Sequence, residues 1–109
     1  MSVRERLAEI QREMLTDLPP ARARELLVLL TAAYYECMEA SRKADHAYSI
    51  ILLKFLEADE AASRAKIRAE TSLEYVDRQA WRDLLKFVEE SIRSLKASMR
   101  SAQEEMRLS

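Results

Sequence analysis

Two residues that occur once each, Cys37 and His46, are the first candidates for metal or acid–base chemistry. Nine positions at about 100° per residue put them on opposite sides of one helix, so they share no metal ion. Cys37 falls on an apolar seam, the setting of a buried structural thiol. His46 beside Asp45 reads as part of a solvated face. A bundle-type di-metal centre needs Glu three residues before its histidine, and Lys43 stands there instead. The residues predict no catalytic group, no metal site and no cofactor.

The more informative spacing is basic. Lys86, Arg93, Arg100 and Arg107 recur every seven residues, and Arg78, Arg82 and Lys96 widen the surface around them. Such a column has the form to track a phosphate backbone. It equally suits a coiled-coil flank, where basic stems cover the seam and pair with Glu36, Glu39 or Glu57. Asp83, Glu89, Glu90, Glu104 and Glu105 share the segment and dilute its field. Trp81 and Phe87 are the aromatics nearby, and the apolar stripe claims both. These seven basic residues are the expected contacts for DNA or for a protein partner.

Composition narrows the rest. Ala, Leu, Glu, Arg and Lys dominate, as in long helices and coiled coils, with 34% charged and 6% aromatic residues. There is no glycine, which removes phosphate-cradling loops and dinucleotide folds, since both need it where backbone meets phosphate. A formal charge of −1 gives no global pull toward nucleic acid or acidic membrane. A single cysteine forms no internal disulfide. The longest mostly apolar run, residues 26–35, is half of the ~20 residues a membrane span needs. The N-terminal residues mix acids and bases, unlike a signal peptide. The expectation is a cytoplasmic protein without a membrane partner.

The elements that carry these residues are helical throughout. Residues 3–15 form a short amphipathic helix with Val3, Leu7, Ile10 and Met14 on one face, capped by Ser2 with Glu5 three residues on. The pair Pro19–Pro20 breaks it, and Pro20 suits the first turn of the next helix. A long helix over residues 20–70 follows, with a seam in steps of three and four through Leu27, Leu30, Tyr34, Cys37, Ser41, Ala44, Tyr48, Ile51 and Phe55. Alanines at 58, 62, 65 and 69 continue it. A bend near residues 57–60, with Asp59 as a cap, is expected. Thr71 and Glu74 form a second capping box. The last helix, residues 72–106, carries the stripe Leu73, Val76, Ala80, Trp81, Leu84, Leu85, Val88, Ile92, Leu95, Met99, Ala102 and Met106.

The fold expected is all-α: a short N-terminal helix and a long antiparallel hairpin of coiled-coil type, in one domain. A helix of ~50 residues reaches ~75 Å and one of ~35 residues ~52 Å, so the two do not cover each other. Residues 26–35 are apolar nearly all round. Leu26, Leu27, Leu30, Tyr34 and Tyr35 are therefore the expected contacts of a homo-oligomer.

From about residue 58 the chain carries Ala61-Ala62-Ser63-Arg64-Ala65-Lys66-Ile67-Arg68-Ala69-Glu70, then residues 72–75, Ile92-Arg93-Ser94, and Met99-Arg100-Ser101-Ala102-Gln103-Glu104-Glu105-Met106. These stretches, about half of the chain, resemble a loose group of small helical proteins encoded in phage and prophage genomes. The resemblance implies a protein without enzymatic activity, encoded among single-strand annealing and single-stranded-DNA-binding genes, and a recombination or replication accessory role. Two other functions fit the helical form: an inhibitor that occludes a host defence or transcription complex, and a structural coiled-coil scaffold.

Overall fold

The computed structural model describes residues 1–58 and 61–108. Among these the chain is all-α: α1 (Val3–Met14), α2 (Pro20–Glu57), α3 (Ala62–Glu70) and α4 (Leu73–Leu108), with no strand. The expected helix over 20–70 is thus two helices, and the proposed Asp59 cap lies outside the described residues. Alanine carries a helical period across a break without marking it, because it fits any helix and packs against almost anything.

Local chemistry sets the ends. The Ser2 hydroxyl accepts from the Glu5 backbone N–H at 3.2 Å and donates to the Glu5 carboxylate at the same distance. Thr16 donates to the Glu13 carbonyl at 2.6 Å as α1 ends. The Pro19 carbonyl then accepts from Ala23 at 3.0 Å, the first rung of α2, where Pro20 leaves no orphaned N–H. At α4 the cap is Ser72 rather than Thr71: its hydroxyl accepts from Tyr75 N–H at 3.2 Å. The Thr71 hydroxyl instead donates to the Arg68 carbonyl at 2.8 Å, closing α3.

The helices group into two compact units, each with its own core. The first holds α1, residues 20–36 of α2, and α4 from Lys86 onward. Val3, Leu7 and Ile10 are buried from α1, Ala23, Leu26, Leu30 and Ala33 from α2, Val88 and Leu95 from α4. Burying each of the large side chains contributes roughly 1.5–3 kcal/mol. Arg6 pairs with Glu36, and Arg22 forks onto Glu13 through Nε at 2.7 Å and Nη2 at 3.0 Å. Those two bonds, with one to Glu25, raise the Arg22 pKa above its ordinary value.

The buried α2 positions here run 23, 26, 30 and 33, one residue earlier than the expected seam through Leu27 and Tyr34. An all-round apolar segment has no phase of its own. The unit chooses its phase, placing Leu26 rather than Leu27 in the core.

The second unit holds residues 37–57 of α2, all of α3, and α4 up to Leu85. Cys37, Ser41, Ala44 and Tyr48 are buried on α2 at three- and four-residue steps. α3 meets its neighbours through Ala65 and Ala69, both fully buried, where the absence of longer side chains permits close approach. Arg68 lies over the Phe55 ring, 4.4 Å from its centroid.

Candidate functional site

The seven basic residues divide between the units. In the second unit, Arg78 and Arg82 converge on one oxygen of Asp45, at 2.9 and 3.2 Å. Arg78 also stacks over Tyr48, its guanidinium carbon 4.5 Å from the ring centroid. In the first unit, Lys86, Arg93, Lys96, Arg100 and Arg107 are all exposed. Lys86 and Arg93 stand two residues from the buried Val88 and Leu95, roughly 160° around the helix. They do not cover the seam.

Nor do these five take the acids expected for them. Glu36 pairs with Arg6 and Glu39 approaches Arg42 at 4.0 Å. Among the described residues no ion pair involves Lys86, Arg93, Lys96, Arg100 or Arg107.

The five apolar residues expected between copies also part company. Leu26 and Leu30 are buried inside the first unit, Leu27 and Tyr34 are half-buried, and Tyr35 is 62% exposed, edge-on to Tyr34. A further chain would meet Tyr35 and Val28 before either buried leucine. Cys37 is fully buried and His46 is exposed on the same helix. Among the described residues no three of His, Cys, Asp and Glu stand together to hold a metal, and no helix is long and apolar enough to cross a membrane.

What the second unit does build is a cleft of about 530 Å³. α2 supplies Tyr48, Leu52 and Leu56 at i, i+4 and i+8; α3 supplies Lys66 and Glu70 one turn apart. α4 supplies Tyr75, Arg78, Gln79 and Arg82, the i, i+3, i+4 and i+7 positions of a single face. The Tyr48 and Tyr75 rings lie 5.7 Å apart, tilted by 55°. Arg78 already engages Tyr48 and Asp45, which leaves half-buried Tyr75 as the more open aromatic surface. Exposed Lys66 adds a cation that no described ion pair engages.

This combination has a definite chemistry. Flat faces next to arginine and lysine suit a flat group carrying phosphate, with Gln79 and Glu70 available for hydrogen bonds. The sequence reading missed it by searching for aromatics only along the seven-residue column. The signal was present in Tyr75 and the two arginines that follow it at i+3 and i+7. Tyr48 and Lys66, on other helices, join them only through the fold. No protein-family model matches the chain, and comparison with curated proteins and with solved structures gives no match.

Proposed function

We propose that this is a non-enzymatic binding protein that takes a single strand of nucleic acid in the cleft of its second unit. The observation that carries this is Tyr75 beside Tyr48, with Lys66, Arg78 and Arg82 lining the same cleft. Tyr75 supplies the stacking surface for a base, while Lys66 and Arg82 meet the flanking phosphates. A base stacked on an aromatic contributes about 1–3 kcal/mol whatever its sequence. The cleft is small, so the strand enters as one or two nucleotides at a time. The resemblance of residues 58–109 to phage-encoded helical proteins supports a recombination or replication setting.

The test is fluorescence anisotropy on a labelled single-stranded oligonucleotide over a salt series. Binding that weakens as salt rises, and weakens further in Lys66→Glu, is the expected outcome. Salt-independent binding, or none, removes the proposal.

A second reading is self-association through a hairpin of coiled-coil type. The three- and four-residue steps of the buried α2 positions favour it, as do large apolar side chains left outside. Ile50, Leu53, Ile67, Leu73 and Val76 are exposed in the second unit, the last two at 84% and 61%. Contiguous apolar exposure of this kind marks association surfaces. Light scattering on the purified protein distinguishes a dimer from a monomer.

A further inference from the structure

The first unit holds a second concavity, of about 380 Å³, formed where the α1–α2 connection faces the last turns of α4. Its apolar lining includes Met14, Leu18, Leu95, Met99, Ala102 and Met106. Three of the chain's five methionines therefore meet in one place. Methionine side chains are unbranched and polarizable, and surfaces rich in them adapt to apolar side chains of varied shape. The lining is open to a visitor: every α4 residue from 100 to 108 is exposed, with Met106 at 74%.

Charge on the walls is one-sided. Arg24 lines the groove from α2. On α4, Lys96, Arg100 and Arg107 fall roughly 60–100° from Met99 and to the same side of it, beside Gln103. The opposite flank carries Ser98 and Glu105. None of these four cations belongs to an ion pair among the described residues. An apolar floor with a cationic rim fits a ligand with apolar anchors and acids beside them.

We infer that this groove is a docking site for an acidic amphipathic helix of a partner protein. The floor dictates a helix. Leu95, Met99, Ala102 and Met106 step along α4 by four, three and four residues, over ~16 Å, which matches the anchors of about three turns of a facing helix. No strand among the described residues offers an edge for an extended peptide, so the visitor's backbone bonds must be satisfied internally. Leucine-type anchors enter between the methionines, and glutamates on one side meet Lys96, Arg100 and Arg107. This site lies wholly in the first unit and does not depend on the cleft that binds nucleic acid.

The probe is a fluorescein-labelled helical peptide of about 18 residues, leucine on one face and glutamate on the flanks, with a lysine-flanked counterpart. The protein is labelled at its methionine methyl groups and followed by NMR. The glutamate peptide shifts the Met14, Met99 and Met106 signals and leaves those of Met1 and Met38. Arg100→Glu with Arg107→Glu weakens it about tenfold or more, because both reversals put like charges against the visitor. Tyr75→Ala leaves it unchanged. Equal binding of the lysine peptide, shifts at Met38 in place of the groove methionines, or displacement of the peptide by an oligonucleotide overturns the inference.

Discussion

Arg78 covers the ring of Tyr48 at 4.5 Å while its Nε donates to Asp45 at 2.9 Å, so one side chain joins two neighbouring helices by stacking and by charge. With only 22% of the Arg78 side chain exposed, these contacts act partly outside water. Arg78→Ala is expected to cost about 2 kcal/mol in urea unfolding, from a charge-assisted hydrogen bond and a cation–π contact that do not simply add. Arg78→Lys is expected to recover only part, because an ammonium has no planar face to stack. Unchanged stability in both variants would show that the clasp contributes nothing.

Leu30→Ala is expected to destabilise by about 2–5 kcal/mol, since Leu30 is fully packed in the first unit and leaves a cavity. Tyr35→Ala, five residues on and exposed, is expected to stay within about 0.5 kcal/mol for a monomer. A larger loss at Tyr35 that grows with protein concentration would reveal self-association through that face. Unfolding at two concentrations separates these outcomes.

Much of the fold was legible in the sequence, and for stated reasons. Ser2 with Glu5 and the paired prolines mark their helix ends by local chemistry that tertiary packing does not override. The core of the second unit was also visible, because Cys37, Ser41, Ala44 and Tyr48 sit among polar neighbours that fix the phase. Residues 26–35 carry no such contrast, so choosing Leu27 over Leu26 was a choice the sequence could not make. Leu73, Val76 and Met106 obey the stripe of α4 yet remain exposed, since periodicity says which face is apolar and not whether anything covers it. The cleft depends on three helices meeting, and only its α4 share has a readable spacing.

Ala69→Leu is expected to cost about 1–3 kcal/mol, because Ala69 is fully buried where α3 packs with no room for a larger side chain. The change should also raise hydrogen exchange across residues 62–70. Stability equal to the parent would mean that α3 is not held by its alanine contacts.

The fork between Arg22 and Glu13 is partly exposed on both sides, at 41% and 36%. A double-mutant cycle with Glu13→Gln and Arg22→Gln is expected to give a coupling of about 0.2–1 kcal/mol. The coupling should shrink in about 1 M salt, where screening acts within a few ångströms. A coupling that salt leaves untouched contradicts this assignment.

The central claim is that Tyr75 and the cations around it receive a single strand. Anisotropy titration of one labelled oligonucleotide, presented single-stranded and then annealed to its complement, tests it most directly. The account predicts that the single strand binds more tightly than the duplex and that Tyr75→Ala removes the preference while circular dichroism stays unchanged. Equal affinity for both forms, or a preference that survives Tyr75→Ala, would contradict it.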